Sequence, residues 1–339
     1  MDPLTHALAS YSLKRATFPR LPRSATLAIV IAGTVADLDS FSSSFGPSVY
    51  LAFHWTYFHS IAAAMLFSLV VSLPFLIVKA KNAEKQVSFA IIFIGAFLAG
   101  ILHLAMDFCQ STGVELFWPF SARRFALDWV AHADLWILAI FLAGVLLPLL
   151  SGLVTEEIGS RSKAPRGRLG ASIAFAALFL YLVVRFVYHG NAIAALESRT
   201  YRGENPRRVA AFAEPGTPFL WHGVVETDRA LHDVEVPVGP GTEFDPGSAI
   251  SSFKPEPSPV LDAARDSTVG RRFLQLARFP KASVEKTPEG FHVILRDFPY
   301  SRDATSGWRV QALIDADPSG KVLSQEFAWV PMSREFWWR

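Results

Sequence analysis

The chain has 339 residues, of which 51% are hydrophobic and only 18% charged, with a formal net charge of +2 and a single cysteine, Cys109. Soluble domains carry roughly 25% charged residues, so the shortfall excludes an ordinary, wholly water-soluble protein. The small net charge makes no case for nucleic acid as a partner, and a lone cysteine excludes an intrachain disulfide. The shortfall is uneven: no charged residue lies between Asp39 and Lys79 or from Gln86 to Met106, whereas after Tyr188 the composition is ordinary.

Asp2-Pro3 reads as a helix start, an N-cap followed by proline at the first helical position, and predicts a helix from Pro3 to about Pro19. Its charges, Lys14 and Arg15, follow the apolar stretch, the reverse of the order in a cleaved signal peptide. Ala25–Ala36 is a short apolar span that runs straight into Asp37-Leu38-Asp39. Four longer ones follow, Ser60–Val78, Val87–Leu104, Leu135–Leu153 and Leu169–Tyr188, each close to the about 20 apolar residues that a bilayer crossing takes. Residues 1–189 are therefore expected to form an α-helical integral membrane domain of five or six helices.

Orientation follows from lysine and arginine in the short connections. Lys14, Arg15, Arg20 and Arg23 precede the first span, Lys79, Lys81 and Lys85 join the second to the third, and Arg161, Lys163, Arg166 and Arg168 join the fourth to the fifth. The opposite loops carry only Arg123 and Arg124. The basic loops are then cytoplasmic, near residues 14–24, 79–86 and 154–168, and everything after Tyr188 lies outside the cytoplasm. Arg185, near the end of the last span, is expected to snorkel to the interface. Trp55, Tyr57, Trp118, Trp129 and Trp136 fall where an aromatic belt belongs.

Residues 190–339 read as a small soluble α+β domain. Phe219–Glu226, Phe291–Arg296, Trp308–Ile314 and Val322–Val330 have strand-like alternation or composition. Ser258–Phe279 has a helical apolar face of Val260, Leu261, Ala264, Val269, Phe273, Leu274 and Leu276. Asp315–Gly320 has the Asp, Pro and Gly of a hairpin turn.

On this topology the polar residues converge. Asp37 and Asp39 end the first span, His54 and His59 precede the second, His103 and Asp107 end the third, and Asp128, His132 and Asp134 cluster before the fourth. Ionisable groups at membrane depth are functional candidates when a partner can be named, and here that partner is a cation. His103 and Asp107, four apart, share one helix face. Imidazole with carboxylate suits zinc first, with manganese and iron as alternatives. His6 joins this set only if the N-terminal helix is inserted in the membrane rather than lying at its surface. There is no nucleophile elbow, phosphate-cradling glycine loop or GxGxxG.

Met1-Asp-Pro-Leu-Thr-His6, Ala36-Asp-Leu-Asp39, His54-Trp-Thr-Tyr-Phe-His59-Ser and His103-Leu-Ala-Met-Asp107 resemble, in order and spacing, the motifs of the bacterial membrane-bound metal-dependent hydrolases of the YdjM type. Trp118-Pro-Phe-Ser121 and the stretch from Arg208 to Thr227 look like longer members with an extracytoplasmic domain. The resemblance implies that His6, Asp37, Asp39, His54, His59, His103 and Asp107 bind metal or act in hydrolysis, with Asp37, Asp39 and His59 in catalytic roles and Asp128, His132 and Asp134 as secondary candidates. Three positions depart from the family pattern: Ala36 stands for proline, Trp55 for arginine and Phe58 for threonine. The expected activity is hydrolysis of a lipid or lipid-linked ester or phosphoester at the outer face of a bacterial inner membrane. The alternatives are a metal or proton transporter and a non-catalytic assembly protein. Ligands confined to the outer ends of the spans argue against a transport pathway, which needs polar groups in both halves.

Overall fold

A computed structural model describes residues 1–77, 87–157, 167–239, 241–298 and 310–330. The predicted loop residues Lys79, Lys81, Lys85, Arg161, Lys163 and Arg166 lie outside the described residues. The chain divides into two compact units, one of residues 1–41 and 53–187 and one of residues 42–52 and 188–339.

The first unit is helical. Helix α1 (Pro3–Thr17) begins where Asp2 accepts the Thr5 backbone N–H at 2.9 Å, with proline in its first turn. In chain order it is followed by α2 (Arg23–Ala32), a 3-10 helix (Val35–Phe45), α3 (Pro47–Phe53), α4 (Ile61–Ser72), α5 (Pro74–Ile77), α6 (Phe89–Phe108), α7 (Leu135–Glu157) and α8 (Arg168–Glu197); of these, α3 up to Ala52 and α8 from Tyr188 belong to the second unit. The buried residues of α1 are Thr5, His6, Ala9, Ser10, Ser12 and Lys14, so its inward face is unusually polar. The helix packs on α2, α6 and α7.

Among the described residues, α6 and α8 are long and apolar enough to cross a membrane, and α2 with the 3-10 helix makes a third span only as a pair bent by 49°. Five or six membrane helices are not supported. The apolar stretches Ile61–Leu76 and Leu135–Ser151 are helical but shorter. The physical reason is that hydropathy sums apolar side chains, whereas a crossing needs unbroken helix. Pro74 has no N–H to continue the ladder and separates α4 from α5.

Small residues draw the bundle together. Along α6 the buried positions include Gly95, Ala96, Ala99, Gly100, His103 and Asp107, the one-face spacing of a helix. A Cβ at Gly95 would sit 2.8 Å from Ile29 Cδ1 of α2, and one at Gly100 would sit 3.1 Å from Ala64 Cβ of α4. Close backbone approach through glycine and alanine is how apolar helices associate where burial from water supplies no drive. Gly144 of α7 and Gly170 of α8 meet in the same way, a Cβ at Gly170 falling 2.6 Å from the Gly144 carbonyl oxygen.

The second unit contains two antiparallel four-stranded sheets, each a meander in chain order. The first comprises β1 (Arg208–Ala213), β2 (Leu220–Glu226), β3 (Ala230–Pro237) and β4 (Ile250–Phe253). The second comprises β5 (Pro280–Thr287), β6 (Gly290–Asp297), β7 (Val310–Ala316) and β8 (Val322–Trp329). Ala192 and Leu196, at the end of α8, are buried with Trp221, Val225, Val234 and Val236 of the first sheet. The expected helix over Ser258–Phe279 is two helices, α9 (Pro259–Asp266) and α10 (Thr268–Leu276). Ser267 ends one by donating its N–H to the Ala263 carbonyl and starts the other by accepting the Gly270 N–H at 2.9 Å. Only glycine fits at that corner, because a Cβ on Gly270 would lie 1.9 Å from the Ala264 carbonyl oxygen. Val260, Leu261, Ala264 and Phe273 pack on Val293, Leu295, Ala312 and Ile314 of the second sheet.

Candidate metal centre

The small-residue face of α6 that admits α2 and α4 continues, one turn on, as His103 and Asp107. A Cβ at Gly33, just past α2, would meet Ser10 Oγ at 1.9 Å and Ala99 Cβ at 3.2 Å. The absence of that Cβ lets α1, α2 and α6 meet at one point. His6 from α1, Asp37 from the 3-10 helix, and His103 and Asp107 from α6 present ligand atoms that all lie within 4.8 Å of one another. His6, His59, His103 and Asp107 are buried, none more than 2% exposed. At that depth an ionised carboxylate has to have compensating partners.

The tautomers follow from the neighbours. His6 Nδ1 is 3.1 Å from Asp37 Oδ2, His59 Nδ1 is 2.9 Å from Asp39 Oδ2, and His103 Nδ1 is 2.9 Å from the Gly33 carbonyl oxygen. Carboxylates and carbonyls only accept, so His6 Nδ1 and His103 Nδ1 carry protons, whereas His59 Nδ1 lies beside Asp39 without a hydrogen bond. All three Nε2 atoms face Asp107. His6 Nε2 lies 3.2 Å from its Oδ1, and His59 Nε2 and His103 Nε2 lie 3.2 and 3.3 Å from its Oδ2. The three Nε2 atoms and Asp107 Oδ2 make no hydrogen bond. A buried carboxylate facing three imidazoles calls for positive charge, which ring protons, the Met1 α-amino group or a bound cation can supply.

This donor set fits a divalent metal ion. Ligands 2.0–2.1 Å from a tetrahedral zinc are about 3.3 Å from one another, close to the Nε2-to-Asp107 spacings above. Nitrogen with carboxylate oxygen also suits manganese and iron. The α-amino group of Met1 contacts Asp107 Oδ1 as well.

The other expected residues take different places. Asp39 is outside the four-residue cluster: its Oδ1 is 2.7 Å from His54 Nδ1, and its Oδ2 accepts the Trp55 N–H at 2.8 Å. It orients His59 from behind, as carboxylates do for metal-binding histidines. Trp55, where the family pattern has arginine, is buried at a φ of 57°, a left-handed conformation that non-glycine residues hold only under constraint. That conformation turns its N–H toward Asp39. His132 reaches the cluster indirectly, its Nδ1 2.9 Å from Gln110 Oε1. Asp134 caps α7, accepting the Trp136 and Ile137 N–H groups at 3.0 and 3.1 Å and the Tyr181 hydroxyl at 2.9 Å. Asp128 is buried at a φ of 61° and is absent from the cluster.

Two contributors escape sequence reading, and one residue that it did name takes another place. Gly33 acts through its carbonyl and through the Cβ it lacks. Gln110 donates to Asp107 Oδ1 at 2.5 Å; its place three residues after Asp107, on the same helix end, was a usable signal. Arg185 does not snorkel: it is fully buried, and its Nε donates to the Trp129 carbonyl at 2.6 Å.

The profile of one protein family, described as YdjM inner membrane protein, matches residues 1–192. No curated protein and no solved structure matches the chain.

Proposed function

This chain belongs to the YdjM inner membrane protein family, and on that premise we propose that its helical part is a metal-dependent hydrolase of a lipid or lipid-linked ester or phosphoester. The observation that carries this reading is the convergence of three imidazole Nε2 atoms, none of them hydrogen-bonded, on one buried carboxylate. In the proposal His6, Asp37, His103 and Asp107 hold the ion, zinc first and manganese or iron otherwise, with His59 beside them. A bound divalent ion would lower the pKa of water and polarise the scissile carbonyl or phosphoryl group. His59, with Asp39 Oδ2 2.9 Å from its Nδ1 and its Nε2 turned toward Asp107, is the proton-transfer group of this reading. Buried side chains around the pair exclude bulk water, which strengthens every charge interaction within.

The reading places the basic loops in the cytoplasm, and the centre and the tail on the outer side of the inner membrane, on the lysine and arginine distribution. A reporter fused after Arg339 should be active only in its exported form.

A transport reading has one observation in its favour. The buried polar face of α1 continues past His6 through Ser10 and Ser12 to Lys14, toward the end with the basic residues. Elemental analysis of the detergent-purified protein, with chelator-sensitive hydrolysis of ester-linked and phosphate-linked lipids, decides between the two. Stoichiometric metal with chelator-sensitive hydrolysis supports the hydrolase. Metal flux into proteoliposomes without hydrolysis overturns it.

A further inference from the structure

Asp107 is the point on which the three imidazoles converge, and two groups from outside the ligand set contact its Oδ1, the Met1 α-amino group and Gln110. Gln110 Nε2 donates to Asp107 Oδ1 at 2.5 Å, and Gln110 Oε1 faces His132 Nδ1 at 2.9 Å. Valence fixes the direction of this chain. A carboxylate only accepts, so the end of Gln110 facing it is the amide NH2. The amide carbonyl then faces His132, whose Nδ1 must carry a proton and donate.

The surroundings hold the chain in register. Gln110 is fully buried. The segment carrying His132 folds back on the end of α6, with the Leu127 N–H on the Phe108 carbonyl and the Trp129 and Val130 N–H groups on the Cys109 carbonyl, at 2.9, 2.9 and 3.2 Å. Arg185 of α8 holds the same segment from the other side through the Trp129 carbonyl. The His132 ring stands edge-on to Trp55, with ring centroids 5.5 Å apart.

We propose that Gln110 and His132 are positioning residues of the metal centre: His132 donates to Gln110, which donates to Asp107 Oδ1 and leaves Oδ2 directed at His59 and His103. The inference rests on the reading of the cluster as a metal site and adds two residues to it that do not touch the ion. Outer partners of this kind fix the orientation of a ligand, and removing one lowers metal affinity by about 10- to 100-fold.

The test uses the full chain in detergent, with zinc affinity measured by competition against a chromophoric chelator and the melting temperature of the metal-free protein as control. Gln110→Glu, nearly isosteric, sets a carboxylate against Asp107 and should weaken zinc binding at least about 10-fold. His132→Phe removes the donor and should weaken it by a similar factor. His132→Asn places an amide N–H where Nδ1–H stood and should stay within about threefold of wild type. Melting temperatures of the metal-free His132 variants should match, because the segment is held by backbone bonds and Arg185. Equal affinity in wild type, Gln110→Glu and His132→Phe overturns the proposal, as does failure of His132→Asn to rescue. A wild type that binds no zinc, manganese or iron instead overturns the metal-site reading, and is seen before any variant is made.

Discussion

At the scale of single residues, the seven motif residues read as one equivalent set in the sequence separate into distinct places. His6 and His103 direct Nε2 at Asp107, whereas His54 directs Nδ1 at Asp39. His6→Ala and His103→Ala should therefore each remove a ligand and lower metal occupancy to a similar, severe extent. His54→Ala should weaken binding by only about tenfold, as loss of an outer partner does. Elemental analysis after dialysis against limiting zinc checks the ranking; equal losses in all three would put His54 among the ligands. Gly33 gives a steric version of the same test. A methyl there meets Ser10 Oγ, Ser10 Cβ at 2.9 Å and Ala99 Cβ at 3.2 Å, and overpacking of this sort costs typically 1–3 kcal/mol. Gly33→Ala should lower the melting temperature and the metal content together, and Ser10→Gly in the same chain should restore part of both.

At the scale of elements, α6 unites packing and chemistry on one stripe, from Gly95 and Gly100 to His103 and Asp107. Its apolar length and its His-x-x-x-Asp spacing are both legible in the sequence. Its small residues are equally visible but gain meaning only from what lies opposite them. The split of the tail helix is the reverse case: the apolar face was readable, the corner at Ser267 and Gly270 was not. Periodicity survives a one-residue break, while the break depends on a capping bond and a 1.9 Å approach to the Ala264 carbonyl oxygen. Ser267→Ala should destabilise this unit by about 1 kcal/mol through loss of a cap. Gly270→Ala should destabilise it more, since backbone rather than a side chain has to move. Urea unfolding curves of the two variants check the order.

For the whole molecule, the first sheet of the tail is covered by the end of the long helix α8: Ala192 and Leu196 are fully buried against Trp221, Val225 and Val236. A fragment of residues 200–339 lacks both. A fragment beginning at Tyr188 retains them and should be the more stable by about 2–5 kcal/mol, the range for losing a large buried aliphatic side chain. Circular dichroism during urea unfolding measures the difference; equal stability would mean the helix end contributes no core.

What the sequence determined by itself is whatever depends on residue type and spacing along the chain. That covers the apolar spans and charge gaps, the Asp2-Pro3 helix start, the α+β tail and the four His/Asp motifs that place the chain in its family. These are local properties, and a helix or strand carries them wherever it packs. Only the tertiary structure decided which imidazole nitrogen faces Asp107, that Asp39 stands beside His59 outside the four-residue cluster, that Gln110 contacts Asp107 and the Gly33 carbonyl contacts His103, and that Arg185 is buried. Each depends on atoms from separate helices within about 3 Å, set by side-chain volume and hydrogen-bond valence at helix crossings. Hydropathy averages over the length of a segment, so it neither counts unbroken helices nor registers where a missing Cβ lets two backbones meet.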